Sequence, residues 1–280
     1  MLHQTTRRRG FTLVELLVVI GVIALLIGVL LPALGGARQS ARDLASAANL
    51  RQLGAGLQMY ITDFSEELPQ MRVDAAGEPV TDKSLPSDNI GTLFGGKLGS
   101  LPFFGIDRIG PERRPLNPYV WDDELPDDDS ASAQDFELEV FRDPTDAGLQ
   151  DPLLASFGFD LSSAYELLGV SYVLNDHALD DDPGTELYPT LVPKEGGRMP
   201  RVADPTRTWL CGSQPIHNYD DGQDRGMRWG GTSQVVAHLL FVDLHAEARI
   251  TVPEGIVQTT ADYTFLPTPK WLDRFTEPTE

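Results

Sequence analysis

The sequence predicts an α+β chain in which a long amino-terminal helix, membrane-spanning over its first half, packs on an antiparallel β-sheet. Three observations carry that prediction. Residues 11–34 read FTLVELLVVIGVIALLIGVLLPAL, with Glu15 as the one charge among them. Residues 36–64 continue in Ala, Leu, Arg and Gln, with larger apolar residues three and four apart. Beyond residue 137, short strand-like runs are separated by turn-forming segments.

Composition limits the function classes before any motif is read. With 41% hydrophobic residues the chain can bury the core of one large domain or two small ones. It carries 42 acidic against 22 basic side chains, a net charge of -20, which disfavours a nucleic-acid partner because phosphate neutralisation needs clustered Lys and Arg. Cys211, the single cysteine, offers neither an intrachain disulfide nor a cysteine zinc cluster.

The apolar segment comes first in the chain. As a helix its 24 residues cover about 36 Å, enough for a hydrocarbon core of about 30 Å. Arg7, Arg8 and Arg9 precede it, and a weaker charge in Arg38, Arg42 and Asp43 follows it. The positive-inside rule therefore keeps the short amino end cytoplasmic and exports the remainder. A cleaved secretory signal, an uncleaved anchor and a prepilin-type leader share this outline. Ala33-Leu34-Gly35 is a passable secretory exit site. The length of the run and Glu15 speak against a disposable signal, since a carboxylate at a helix centre costs up to roughly 3 kcal/mol in the membrane.

The residues Arg9-Gly10-Phe11-Thr12-Leu13-Val14-Glu15-Leu16-Leu17-Val18-Val19-Ile20 resemble the leader of type IV pilins and type II secretion pseudopilins, over about residues 7–34. The resemblance implies a pilin-like fold, cleavage after Gly10 by a prepilin peptidase, N-methylation of Phe11 and assembly into a type IV pilus or a secretion pseudopilus. Pro32 falls where many such proteins carry a helix-kinking proline. The implied organisation is a leader (1–10), a transmembrane and assembly helix (11–34), an amphipathic continuation (35–63) and an acidic extracytoplasmic head (64–280). The partners would be the peptidase, other pilin or pseudopilin subunits and the lipid bilayer of the inner or cytoplasmic membrane. Glu15 then becomes the register charge: a neighbour displaced by about four residues, roughly 6 Å, brings its Phe11 amine alongside. The other reading is that Glu15 snorkels to the interface as an isolated anchor residue.

In the continuation Leu50, Leu53, Leu57, Tyr60, Ile61 and Phe64 form one apolar face. Gly54 and Gly56 weaken it by up to about 1 kcal/mol each relative to Ala. One helix over 11–63 would be about 80 Å long. A short anchor joined at Gly35-Gly36 to a separate helix is the alternative.

The head, residues 62–280, holds 16 basic and 40 acidic side chains, a net charge of -24. Its first part, 65–135, is dense in Pro, Gly and Asp and reads as long loops. Strands are expected at 137–142, 170–175, 206–211, 235–243 and 246–252, with a short helix near 161–168 and a tight hairpin at Leu244-His245. Phe141-Arg142-Asp143-Pro144-Thr145-Asp146 is similar to the Cys-Pro-Ser-Asp segment of a group of pilin-like proteins with a head domain of unknown function. Ser171-Tyr172-Val173-Leu174-Asn175 and Leu240-Phe241-Val242-Asp243-Leu244-His245 are similar to two further segments of that group, but Asp143 replaces a Cys and Leu244 a hairpin Gly.

His238, Asp243 and His245, with His177 and His217 elsewhere, are the residue types for zinc or acid/base chemistry, yet no HExxH or Gly-x-Ser-x-Gly motif accompanies them. The expectation is a structural subunit with no catalytic residues; the alternative is a membrane-anchored ligand-binding protein or hydrolase that does not polymerise. Acidic runs at Asp122-Asp123-Glu124 with Asp127-Asp128-Asp129, at Asp180-Asp181-Asp182, and at Asn218, Asp220 and Asp224 supply hard oxygen ligands. The last of these is the candidate Ca²⁺ site, and a solvated acidic surface is the competing reading. Trp121, Trp209, Trp229 and Trp271 are either a carbohydrate platform or core aromatics.

Overall fold

The computed structural model describes residues 13–82, 84–179, 187–194, 196–220, 223–231 and 233–268, with residues 220, 223 and 224 described as backbone. The chain divides into two compact units, Met1–Ala41 and Arg42–Glu280.

Helix α1 (Leu13–Asp63) runs through Pro32 and through Gly35 and Gly36 without a break in assignment. The interruption considered at the glycine pair is therefore absent. Within the second unit, Leu50, Leu53 and Leu57 on α1 are completely buried and Tyr60 nearly so. Each such leucine contributes about 1.5–3 kcal/mol by its removal from water. Gly54 and Gly56 are not weak points of an exposed helix, as expected from propensity; they are contact points. A Cβ on Gly56 would lie 2.5 Å from Val120 Cγ1, and one on Gly54 would lie 3.1 Å from Leu240 Cδ1. Their missing side chains let the helix approach the sheet and the 117–120 turn.

Among the described residues, the loops over 65–135 hold the two-residue strands β1 (Arg72–Val73) and β2 (Asp88–Asn89), which pair with each other, the 3₁₀ turn Asn117–Tyr119 and the short helix α2 (Ala131–Gln134). Helix α3 (Pro152–Ser156) follows, then α4 (Ala164–Leu168). Ser163 caps α4 by accepting from Glu166 N–H, and Gly169, at φ 81, ends it in the left-handed conformation. Strands β3 (Tyr172–Leu174), β4 (His177–Leu179), β5 (Leu187–Pro189), β6 (Trp209–Ser213), β7 (Tyr219–Asp220), β8 (Gln223–Asp224), β9 (Val236–Phe241) and β10 (Ala246–Thr251) complete the order. The main sheet is antiparallel in the order β10, β9, β6, β3; β4 pairs with β5 and β7 with β8. The protein is an α+β fold, with α1 from Arg42 onward sharing a core with this sheet through Leu240, Leu210 and Tyr172.

One strand expectation fails. Residues 137–142 form a 3₁₀ turn at Glu139–Phe141, because the residues that bury themselves are Leu138 and Phe141, three apart, and a strand would place them on opposite faces. At the β9–β10 hairpin Leu244 takes the left-handed conformation, φ 71, that a glycine adopts without strain. Phe241 N–H still bonds His245 C=O, and the Phe241 and His245 rings stack at 4.3 Å.

Candidate functional site

Among described residues, 13–38 on α1 are all exposed, including Leu13, Val14, Leu25, Val29 and Leu31. This is the one described helix long and apolar enough to cross a membrane. Glu15 lies in its first turn, where the positive end of the helix dipole favours a carboxylate. Gly10 and Phe11, the expected cleavage and methylation positions, lie outside the described residues.

From Arg42 onward the helix changes chemistry, and a buried polar network ties it to the head. Ser46 donates to Asp143 Oδ2 at 2.8 Å and so accepts from Tyr172 OH at 3.2 Å. Thr145 donates its hydroxyl and its backbone N–H to Asp143 Oδ1, both at 2.7 Å. His238 Nδ1 accepts from Arg249 N–H, which leaves Nε2 as the proton-bearing nitrogen facing Thr145 Oγ1 at 3.2 Å. Asp43 closes the cluster, 3.8 Å from His238 Nε2 and 3.3 Å from Arg249 Nη1. Burial lifts the Asp143 carboxyl above the usual range, against the pull of His238 and of the Thr145 and Ser46 hydrogen bonds. His238 is thus a core residue beneath the helix, 2% exposed.

Asp146 performs the matching task one turn on. Its two oxygens accept from the backbone N–H groups of Gly148, Ala164 and Tyr165 and from the Ser171 and Ser163 hydroxyls. Asn175, buried, donates to the carbonyls of Trp209 and Phe265. The residues singled out in the first two head segments, Asp143, Asp146, Ser171, Tyr172 and Asn175, therefore bond helix, turn and sheet together. Cys211 is buried and free on β6, its thiol pushed up by burial.

The remaining candidates scatter. Asp243 and His245 pair with each other at the exposed hairpin, away from His238. His177 and His217 meet elsewhere, ring centroids 4.5 Å apart, beside Asp176. Burial pushes His217 down to about 3, while Asp176 stays below its usual range although its burial acts the other way, because His177 and His217 face it. Sequence reasoning left these two histidines unpaired, since neither spacing nor motif joins positions 40 apart.

Of the candidate calcium ligands, Asn218 uses Oδ1 to accept Met227 N–H at 3.0 Å. Asp220 pairs in register with Gln223, and Asp224 with Tyr219; the side chains of both aspartates lie outside the described residues, as do residues 180–182 and Trp271. In the first acidic run Asp128 is a loop clasp, accepting from Gly110 N–H, Glu112 N–H and Arg113 Nε. Trp209 and Trp229 are buried, so the four tryptophans do not make a platform.

Comparison with known proteins touches only the amino end. Residues 5–31 match the model of the prokaryotic N-terminal methylation motif. No curated protein and no solved structure matches the chain. By this motif, at the start of an exposed apolar helix, the amino end of the chain is similar to that of the type IV pilin-like proteins.

Proposed function

We propose that the chain is a structural subunit of a type IV pilus or a type II secretion pseudopilus. A prepilin peptidase cuts after Gly10, Phe11 is N-methylated, the amino end stays cytoplasmic and the head is exported. Subunits associate through residues 11–34, and Glu15 fixes their register by pairing with a neighbour's Phe11 amine. No catalysis by the head is part of this reading.

The observation that carries it is the uncovered apolar surface of residues 13–38, most of it within the matched methylation motif. At about 25 cal/mol per Å² such a surface cannot remain in water; lipid covers it before assembly and neighbouring helices after it. Among the described head residues burial removes Arg72, Lys97 and Arg114 but equally Asp128, Asp143 and Asp176, so the surface keeps the acidic excess of the sequence. Assembly then requires salt, divalent cations or dilution among other subunits. Calcium at Asn218, Asp220 and Asp224 is the divalent part of the proposal; millimolar Ca²⁺ raises the melting temperature of the chelator-treated protein, and no shift removes it.

Glu15→Ala tests the register role. The variant inserts in the membrane as the wild type does but fails to enter sheared or secreted filaments. Normal assembly of Glu15→Ala would return Glu15 to the role of an isolated interfacial anchor.

A further inference from the structure

We propose that Asp176, His177 and His217 form a binding site for a divalent transition-metal ion of the zinc class. The three residues come from two elements. Asp176 and His177 stand at the entry to β4, and His217 ends the 3₁₀ turn Gln214–His217 that follows β6. Each offers one ligand atom, all within 4.8 Å of one another. A tetrahedral zinc site with about 2.0–2.1 Å bonds needs ligand atoms about 3.4 Å apart, so small side-chain rotations close the set. Two imidazoles and one carboxylate suit zinc, iron or copper; calcium prefers oxygen alone.

The second observation is His217 Nε2, buried with no hydrogen-bond partner. A buried imidazole nitrogen left without a partner forfeits its hydration, and a bound cation restores the interaction. Its ring is held between Trp209 and Phe265, edge-to-face at 5.8 and 5.6 Å, so the nitrogen is aimed before any ion arrives. His177 Nδ1 lies 2.8 Å from Asp176 Oδ1, the carboxylate–imidazole pairing that orients metal ligands.

A third observation concerns space. A Cβ on Gly91 would fall 2.1 Å from Asp176 Oδ2, so only glycine leaves this carboxylate its position. His177 is 27% exposed and lines a groove with Asp88, Asn89, Phe104, Leu187 and Pro189. Asp176 is buried while His177 and His217 are partly exposed, and the groove at His177 provides an entry path and a coordination position for water.

The test is a cobalt titration of the full chain in detergent, tag removed and chelator-treated, followed by visible absorption. The expected result is one Co²⁺ per chain, displaced by Zn²⁺ and not by Ca²⁺. His177→Ala, which opens no core cavity, and Gly91→Ala weaken Co²⁺ binding at least about tenfold, as loss of a ligand or of its positioning does. His217→Ala does the same, with far-UV circular dichroism reporting its fold; if that variant unfolds, His177→Ala decides. His245→Ala, at the exposed hairpin, leaves binding unchanged. Folded wild type without cobalt absorption at roughly tenfold excess metal, or binding equally strong in His177→Ala, overturns the proposal.

Discussion

The two halves of α1 belong to one helix and have opposite fates. Up to residue 38 every described residue is exposed, and most of them are Leu, Val and Ile. From Arg42 the same helix buries Leu50, Leu53 and Leu57 completely and adds Asp43 and Ser46 to a polar network. The difference teaches what each half needs from outside the chain. One satisfies its apolar surface within its own fold; the other leaves its apolar surface uncovered, which under the proposed function is met by lipid or another subunit.

Leucine truncation breaks the comparison most sharply. Leu53→Ala lowers head stability by about 2–5 kcal/mol, because it opens a cavity in a packed core. Leu25→Ala, in the exposed half, leaves the head's melting curve within about 0.5 kcal/mol. Equal effects on thermal unfolding would mean that the first half is also packed on protein.

Gly56→Ala is next, at about 1–3 kcal/mol, since its Cβ enters the space of Val120 and the neighbouring carbonyl of Tyr119. Helix propensity alone predicts the opposite sign, a gain of about 1 kcal/mol. Chemical denaturation of the two proteins separates these outcomes.

The polar network gives a pH-dependent difference. A carboxyl raised on folding binds its proton more tightly in the native state, so its contribution is full below the ordinary carboxylate range and is lost as pH rises through the folded value. Asp143→Asn removes that loss. Wild-type stability minus that of Asp143→Asn therefore falls with rising pH above about 4, by at most about 1.4 kcal/mol per pH unit. Melting temperatures of both proteins across this window check it; a difference that rises with pH would show the carboxylate to be the favoured native form. The smallest effect is expected at the hairpin, where Leu244→Gly relieves left-handed strain and gains about 0.5–1 kcal/mol in thermal unfolding.

Periodicity made α1, β6, β9 and β10 legible, because each buries a face long enough to leave a pattern. It failed at 137–142, where alternating residues mimic a strand but Leu138 and Phe141 bury themselves in a turn. It also missed the β4–β5 pair, since three residues such as His177-Ala178-Leu179 carry no period. The glycines of α1 read as weaknesses because propensity describes an isolated helix, and their partners Val120 and Leu240 lie 64 and 186 residues away. The amino-terminal motif was legible for the opposite reason: its chemistry is local, written in adjacent residues. Asp176, His177 and His217 come together only through the packing of β4 and the turn after β6.

Mass spectrometry of the mature amino terminus in membranes tests the central claim most directly. The account predicts a chain beginning at N-methylated Phe11, with residues 1–10 removed. An intact Met1, or a start near Gly36, would contradict it.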